Sequence, residues 1–259
     1  MLNIIMFINY FPLIKKLTLR EIKARYKQSF LGFFWIVLNP FFQMLIMSFV
    51  FSKIMKVSSL GVPYPIYLYA GLLPWIFFTS SMQSATNIFI SDASLIKKIY
   101  FPRQILVIAT LLAKVFDFFL SLIIFFVLML FFRVPITFFT LFFIPIFLVQ
   151  FLFTYALGLI LASFNLYYRD VQYLLNLVIN LWFYLTPVIY PVEFFPANYR
   201  WIFQINPLAV FINAYRQVLL GGNFPKWESL AVGLVISVIF FWLASKIFNK
   251  LEKNFADIV

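Results

Sequence analysis

Arg169 and Asp170 form a charged pair in the stretch NLYYRDVQYLL, between two long apolar segments of a chain that has only eight acidic residues. An arginine can offer a bidentate hydrogen-bonding fork to an anionic group. An aspartate can cap the helix that follows it and stabilise the positive N-terminus of that helix. With Tyr168 beside it, the pair indicates either a surface that binds a partner or a capped turn whose arginine only sets the topology.

Side chains that perform covalent or metal chemistry are otherwise scarce. The chain has no cysteine and no histidine, which removes thiolate nucleophiles, imidazole bases, disulfides and the usual zinc or copper ligands. It contains no G-x-x-x-x-G-K-[ST] phosphate loop, no G-x-S-x-G elbow and no carboxylates placed close in sequence for acid–base work. We therefore expect no catalysis, no metal site and no nucleotide hydrolysis by this chain.

The composition is that of an integral membrane protein. Hydrophobic residues make up 64% of the chain and charged residues 11%, whereas about a quarter of residues are charged in an average soluble protein. The apolar segments recur without a polar block large enough to fold separately, so we predict one membrane domain over residues 1–259. The net charge of +12 does not indicate nucleic acid, because no soluble basic domain is present to bind it.

Six apolar runs come close to the roughly 20 helical residues that a bilayer core about 30 Å thick requires. They are 30–52, 66–90, 108–132, 136–164, 173–191 and 227–248. An even number of spans places both termini on one side, and most lysines and arginines lie in connections on that side, which is therefore predicted to be cytoplasmic. The sequence thus predicts an all-α protein with six transmembrane helices, N-in and C-in.

Residues 10–28 read as an amphipathic helix at the membrane interface. Its basic stripe, Lys16, Arg20, Lys23 and Lys27, recurs at i, i+4, i+7 and i+11 and would face anionic headgroups. Glu21 and Arg25 are spaced to pair at i, i+4. The alternative is a helical extension whose charges only fix the topology.

The connection at 192–224 is too polar to span a membrane and too apolar to lie in water. Asn206-Pro207 interrupts it near the middle, because the residue before a proline is pushed out of the helical region. We expect two short helices that dip into the outer leaflet beside a pathway, with Gly221-Gly222 ending the second. The alternative is a surface loop that carries an interfacial helix.

Lys114 and Asp117 stand at i, i+3 within the third predicted span, close enough to neutralise one another. A charge deep in a span costs about 2.5 to 3.5 kcal/mol on insertion scales, so the pair could serve an ion-coupled carrier as a relay. Alternatively, Lys114 snorkels to the cytoplasmic surface and leaves Asp117 as one partnered carboxylate.

A transporter that neither hydrolyses nucleotide nor couples to ions must take its energy from a partner. Two predicted cytoplasmic connections are compact enough to transmit force, 91–104 and the YYRD turn. In the first, Asp92 or Ser94 can cap a short helix that ends before Pro102, and Ile99, Tyr100 and Phe101 can enter a groove. The residues expected to face the partner are Lys97, Lys98, Tyr100, Phe101, Pro102 and Arg103 in the first connection, and Tyr168, Arg169 and Asp170 in the second.

Several motifs occur in an order that is specific as a set. They are REIKARYKQSFLGFFWIVLNP at 20–40, AGLLPWIFF at 70–78, LIKKIYFPR at 95–103, NLYYRDVQYLL at 165–175, WFYLTPVIYP at 182–191 and INPLAVFINAYR at 205–216. Over nearly the whole chain they resemble the permease subunits of bacterial ABC type-2 polysaccharide exporters, which serve O-antigen, capsular polysaccharide and teichoic acid export.

The resemblance implies a homodimer of six-span subunits in the bacterial cytoplasmic membrane, above two copies of a separate ATPase that binds ATP and magnesium. The complex would move a lipid-linked polysaccharide from the cytoplasmic leaflet outward. It also implies that 91–103 is a coupling helix in an ATPase groove, that 10–28 lies near the channel entrance and that 192–224 is a re-entrant hairpin.

A glycan channel should be lined by aromatic rings, which pack on the C–H faces of sugars while offering few fixed charges. The candidates are Trp35, Trp75, Trp182, Phe183, Tyr184 and Tyr190. The alternative is that these residues belong to the aromatic belts of the two membrane interfaces. A drug or lipid exporter of the same superfamily and an ion-coupled carrier remain rival functions.

Overall fold

The computed structural model describes residues 4–26, 32, 34–57, 59 and 61–258. Within these ranges all regular structure is helical and no strand occurs, which confirms the predicted all-α class. The helices are α1 Ile4–Tyr26, α2 Phe34–Ser48, α3 Tyr64–Ser91, α4 Ala93–Lys98, α5 Gln104–Phe131, α6 Phe143–Tyr167, α7 Val171–Tyr184, α8 Trp201–Ile205, α9 Pro207–Leu219, α10 Trp227–Leu251 and α11 Phe255–Ile258. A π-helical turn, Phe49–Ile54, extends α2.

Four helical stretches of the described residues are long and apolar enough to cross a membrane. They are Phe34–Ile54, Gln104–Phe131, Phe138–Tyr167 and Trp227–Asn254. Each coincides with one of the six predicted spans.

The other two predicted spans, 66–90 and 173–191, correspond to α3 and α7. Helix α3 has 28 residues, enough for about 42 Å at 1.5 Å per residue, but its sequence is diluted by tyrosines, serines and carboxamides. Helix α7 is apolar but has 14 residues, or about 21 Å, and the chain turns after Leu185. The six-span count therefore stays a prediction.

The core is built around α3, which packs against α5, α6 and α9. The first half of α3 is buried nearly all round. Gln150 of α6 joins these helices: its amide nitrogen donates to the Pro74 carbonyl at 2.8 Å, and its amide oxygen accepts from the Tyr215 hydroxyl at 3.0 Å. All three polar groups are buried and hydrogen-bonded, so the network fixes α9 to the centre of the fold.

Helix α1 runs alongside α5 in the same direction. Thr18 donates to the Ala109 carbonyl at 3.3 Å, and seven residues later the Arg25 guanidinium reaches Asp117 at 2.5 Å. Ile14, Leu17 and Ile22 are buried in this contact. The predicted helix over 10–28 is thus confirmed for its described residues, while its position at a membrane interface stays a prediction.

Helices α8 and α9 meet at Asn206, as the Asn206-Pro207 signal predicts. The Asn206 side chain caps α9 by accepting from the backbone nitrogens of Leu208 and Ala209 at 3.1 and 3.4 Å. Helix α9 is buried on most of its surface, and Gly222, with φ of +57°, follows it in the left-handed conformation that glycine accepts most readily. The two-helix prediction is confirmed, and re-entry into the membrane stays a prediction.

Candidate functional site

The segment 91–104 forms a short helix, α4, at one end of the molecule. Asp92 occupies the N-cap position, but its side chain makes no capping hydrogen bond. The carboxylate instead forms an ion pair with Arg20 of α1. The capping role predicted for Asp92 is therefore wrong, because the long-range cation outcompetes the local backbone nitrogens. The ion pair connects α1 to the start of α4.

The side chains that follow α4 divide into exposed and anchored groups. Lys97, Lys98 and Tyr100 are exposed, and Tyr100 is 99% accessible. Phe101, by contrast, is 6% exposed and packs in the same apolar cluster as Phe255. Arg103 donates to the Glu252 carbonyl, and its guanidinium lies 5.6 Å from the centroid of the Phe255 ring. Phe101 and Arg103 thus fasten the segment to the C-terminal helices instead of presenting a docking surface.

The second predicted docking element, the turn between α6 and α7, is exposed at Tyr168, Arg169 and Asp170. Asp170 stands at the N-cap of α7 but makes no capping hydrogen bond, so its predicted capping role is wrong. Asn165 of α6 does this instead: its side-chain oxygen accepts from the Gln172 backbone nitrogen at 3.2 Å.

Asn165 also fixes the turn to the core, because its amide nitrogen donates to the Thr86 carbonyl at 2.9 Å and to the Asn87 side chain at 3.1 Å. Asn165 was not predicted as a functional residue, although an asparagine near the end of an apolar run is a visible signal in the sequence. Because Asn165 accepts from the first turn of α7, Arg169 and Asp170 do not cap that helix, and both side chains are exposed.

A row of uncharged polar side chains follows the accessible face of α3 and the neighbouring α7. Most of α3 is buried, and the residues that stay accessible in its second half are largely hydroxyls and carboxamides. Gln83 donates to Asn176 at 3.4 Å, which joins the polar faces of the two helices. We refer to Thr79, Ser80, Gln83, Asn87, Asn176 and Asn180 as the polar stripe.

The polar stripe contains neither charges nor aromatic rings, and it was not among the sites predicted from the sequence. The spacing of these residues was nevertheless visible in the sequence. Gln83 and Asn87 stand at i, i+4, as do Asn176 and Asn180, so each pair occupies one face of its helix. No member of the stripe is ionisable. The stripe can therefore exchange hydrogen bonds with hydroxyl groups without holding a fixed charge.

Two of the candidate channel aromatics pack against other helices, Trp75 as a buried side chain and Trp182 as a partly buried one. Trp75 is 6% exposed and contacts Phe183 with ring centroids 5.3 Å apart. Trp182 packs edge-on against Phe78 at 5.4 Å, and its indole nitrogen donates to Asn206 at 3.1 Å. Trp75 and Trp182 thus connect helices within the chain, and Trp75 presents little ring surface to a ligand.

The other aromatic candidates are more accessible. Tyr184, at the end of α7, is 68% exposed, and its carbonyl accepts a hydrogen bond from the Tyr190 hydroxyl. Phe183 and Tyr190 are half-buried. Trp35, near the start of α2, is half-exposed and lines a cavity of about 300 Å³ between α2, α3 and α5. Tyr184 and Trp35 thus lie at surfaces that a ligand or a second subunit could reach.

This inner cavity contains the charged residues that the sequence placed within a span. Arg25, Lys114 and Asp117 line it together with Trp35 and with Ser80 of the polar stripe. Asp117 pairs directly with Arg25 at 2.5 Å, whereas Lys114 lines the same cavity without a direct ion pair to Asp117. Arg25 also donates to the Glu21 backbone carbonyl at 3.3 Å, so the predicted pairing with the Glu21 carboxylate is wrong. The reason is tertiary: α1 packs along α5 and brings Arg25 to Asp117, a contact that i, i+3 and i, i+4 spacing cannot show.

The basic stripe of α1 lies on the face opposite to this contact. Lys16, Arg20 and Lys23 are exposed, and Lys27 lies outside the described residues. Because Ile14, Leu17 and Ile22 occupy the buried face, α1 is amphipathic in the sense that the spacing predicted.

Comparison with known proteins identifies the chain's family. Residues 12–220 match the family model described as ABC-2 type transporter. The chain is 33% identical to the O-antigen export system permease protein RfbA of Myxococcus xanthus and 31% identical to that of Klebsiella pneumoniae, in each case over 96% of this chain and 95% of the relative. It is 22% identical to the polysialic acid transport protein KpsM of Escherichia coli, over 93% of both chains. The chain belongs to the ABC-2 type transporter family of membrane proteins.

Proposed function

We propose that this chain is the membrane-spanning subunit of an ATP-driven exporter that moves a lipid-linked polysaccharide, similar to O-antigen or teichoic acid, across the bacterial cytoplasmic membrane. The observation that carries this proposal is the polar stripe. Carboxamides exposed to lipid leave hydrogen-bonding groups unsatisfied in hydrocarbon, so this face of α3 and α7 requires a second subunit or a hydrated path. An uncharged path with hydroxyl-binding groups suits a neutral or variably charged glycan.

The names of the relatives support the same cargo. Two relatives above 30% identity are named as O-antigen export permeases, and a more distant one as a polysialic acid transport protein. All three act on polysaccharides according to those names, and the matches extend over nearly the full length of both chains. A drug or lipid exporter of the same superfamily is the alternative.

The transmembrane arrangement that we propose uses α3 and α7 as the two spans beyond the four apolar stretches. Helix α3 is long enough, and its mixed composition fits a helix surrounded by protein. Helix α7 alone is too short to cross a bilayer core, so the proposed span also includes the turn that leads to Tyr190. With six spans, both termini are cytoplasmic, as the lysine and arginine distribution favours, and the hairpin of α8 and α9 lies on the outer side.

The energy source that we propose is a separate ATPase, which holds ATP and magnesium, bound to the end of the molecule that carries α4. Tyr100 and the neighbouring Ile99 support this site, because adjacent apolar side chains left uncovered at a surface form a patch that a partner can cover. Lys97, Lys98 and Arg169 add exposed cations at this end, and Asp170 and Tyr168 complete the surface. Pro102, Phe101 and Arg103 hold it in place.

The channel that we propose forms where two copies of the chain face each other, with the polar stripe and Tyr184 as its most accessible walls. Trp35 lies beside the inner cavity, and Phe183, Tyr190 and Trp182 border the same surface. Helix α1 would present Lys16, Arg20 and Lys23 to anionic headgroups at the cytoplasmic side, near the place where a lipid-linked substrate enters.

Depletion of the protein from its native cell tests the function. We expect lipid-linked polysaccharide to accumulate in the cytoplasmic leaflet and surface polysaccharide to fall, with recovery when the wild-type chain is restored. Normal surface polysaccharide after depletion, with no intracellular polymer, would contradict polysaccharide export. Purification in mild detergent tests the energy source: an equimolar soluble protein with a phosphate-loop motif is expected, and a chain that purifies alone under several detergents and salts would contradict it.

A further inference from the structure

A cavity lies between the hairpin of α8 and α9, the start of α10 and the loop that follows α7. Its volume is about 450 Å³, which is within the size range of small-ligand pockets. Charged and polar side chains converge on it. They include Glu193, Arg200, Asn213, Arg216, Lys226 and Ser229.

Arg216 lines the cavity as a buried cation. It is 8% exposed, and its guanidinium donates to the carbonyls of Tyr67, Pro187 and Val188 at 3.4, 2.6 and 2.6 Å. The same group lies 3.8 Å from the centroid of the Tyr67 ring. These partners are dipoles and a ring face, and no carboxylate pairs with Arg216 among the described residues. Its positive charge is therefore solvated by the fold but not neutralised.

Two further cations share the cavity. Arg200 donates to the carbonyls of Phe195 and Glu193 at 3.0 and 2.9 Å, and neither of these acceptors is a carboxylate. The Lys226 ammonium has no hydrogen bond or ion pair within the part of the chain that the structure describes, although the Lys226 backbone nitrogen donates to Gln217. Glu193 is the one acidic residue in the described lining. The lining therefore holds three cations against one carboxylate.

Three cations that share a cavity with one carboxylate repel one another, and an added anion in the same concave space relieves that repulsion. Asn213 and Ser229 add neutral groups that could bind hydroxyls. From this geometry we propose that the cavity is a binding site for a carboxylate or phosphate group. The group comes either from an acidic sugar unit of the glycan or from the headgroup of an anionic phospholipid. The glycan source rests on the proposed function, whereas the anion site itself does not.

The absence of cysteine makes a direct test possible. Ser229→Cys places one thiol in the cavity, and Asn198→Cys places a control thiol on the exposed turn nearby. The full-length protein is purified with the subunits that accompany it, placed in phosphatidylcholine nanodiscs and treated with methanethiosulfonates that carry either a sulfonate or a trimethylammonium group. The ratio of the two labelling rates reports the sign of the local potential.

We expect the anionic reagent to be favoured at Ser229→Cys by roughly tenfold relative to Asn198→Cys. Adding Lys226→Gln should reduce this ratio by about threefold, and because the Lys226 side chain makes no contact that the fold depends on, the protein should stay folded. Lys53→Gln with Arg133→Gln, which removes two exposed cations outside the cavity, is the matched control and should leave the ratio unchanged. Arg216 is left intact, because three backbone carbonyls in two segments of the chain accept hydrogen bonds from it.

Occupancy is tested by protection of the Ser229→Cys thiol. Protection by glucuronate or glucose 1-phosphate, but not by glucose, supports the site with a sugar source. Slower labelling in nanodiscs that contain phosphatidylglycerol, relative to phosphatidylcholine alone, supports it with a lipid source. Equal protection by glucose, no anionic preference, or a preference without protection in either arm overturns the proposal. None of these measurements requires export, so their failure is distinguishable from failure of the proposed function.

Discussion

Arg25 of α1 and Asp117 of α5 form an ion pair at 2.5 Å across 92 positions of sequence. Both side chains are largely buried, and the pair borders the inner cavity that also contains Trp35 and Lys114. The pair therefore fixes α1, with its basic stripe, against a predicted transmembrane helix at the point where the polar stripe begins.

Removing one member of this pair should destabilise the protein. Asp117→Asn leaves Arg25 without its carboxylate, and breaking a buried pair in this way costs about 3 to 5 kcal/mol, less where water can enter. We expect a clear fall in the thermal unfolding temperature in detergent. Arg20→Gln is the milder comparison, because the Arg20 side chain is 47% exposed in its pair with Asp92, and exposed pairs are worth about 1 kcal/mol or less. Exchanging the charges, Arg25→Asp with Asp117→Arg, should restore part of the loss. Unchanged stability together with loss of ion-dependent transport would instead favour the ion-coupled carrier.

Reversing charge at the exposed end should uncouple the ATPase. Lys98→Glu with Arg169→Glu is expected to abolish export and to reduce the amount of ATPase that purifies with the chain, while membrane insertion and unfolding temperature stay unchanged because both residues are exposed. Lys250→Glu, an exposed charge on α10, serves as the control. Normal export by the double variant would remove the coupling role of this surface.

The hydrogen-bonding capacity of the polar stripe should matter for cargo movement. Asn176→Leu with Asn180→Leu is expected to slow polysaccharide export several-fold without weakening the fold, since both side chains are exposed. Asn176→Gln with Asn180→Gln keeps the carboxamides and should retain most of the export. If the leucine variant exports at the wild-type rate, the stripe does not line the path.

Tyr184 and Trp182 should respond differently to truncation. Tyr184→Ala removes an exposed ring and is expected to slow export with little change in stability. Trp182→Ala removes the contact with Phe78 and the hydrogen bond to Asn206, and large-to-small changes at packed aromatics cost about 3 to 5 kcal/mol when fully buried. Unfolding temperature and export rate are measured for both variants. Equal stability of the two variants would contradict the structural role given to Trp182.

Gly71 provides the space that Arg216 occupies. A Cβ at this position would lie 2.7 Å from an Arg216 guanidinium nitrogen and 3.2 Å from the Val188 carbonyl oxygen. Gly71→Ala should therefore displace the guanidinium, lower the unfolding temperature and make the loop after α7 easier for protease to cleave. Gly158→Ala, whose added methyl group would meet only side chains at 3.2 Å or more, should be milder. A smaller effect at Gly71 than at Gly158 would contradict this packing.

The helices were predictable because apolar runs and breaks such as Asn206-Pro207 are local signals. The partners of charged residues were not, because they depend on which helices pack together. Asp92, Asp117 and Asp170 each had a plausible local partner, and none of them uses it. In two cases a distant arginine provides stronger pairing. In the third case, Asn165 of the preceding helix accepts the hydrogen bond from the Gln172 backbone nitrogen at the start of α7. The Asp170 side chain is left exposed.

Side-chain direction was equally hidden from the sequence. Ile99, Tyr100 and Phe101 read as one apolar group, but Ile99 and Tyr100 are exposed whereas Phe101 is buried against the C-terminal helices. Trp75 looked like a channel residue because its type suits sugars, whereas the fold uses it as core. The polar stripe was missed for the opposite reason, because single carboxamides in apolar helices attract little notice until α3 and α7 lie side by side.

The most direct test of polysaccharide export is translocation in inverted membrane vesicles that contain the chain, its ATPase and the lipid-linked polysaccharide. The polymer is added to the outer face, which corresponds to the cytoplasmic side, and a glycosidase measures how much becomes protected. We predict that ATP causes time-dependent protection that requires this chain and that Asn176→Leu with Asn180→Leu slows. Protection that does not depend on ATP, or that persists in vesicles lacking the chain, would contradict the proposed function.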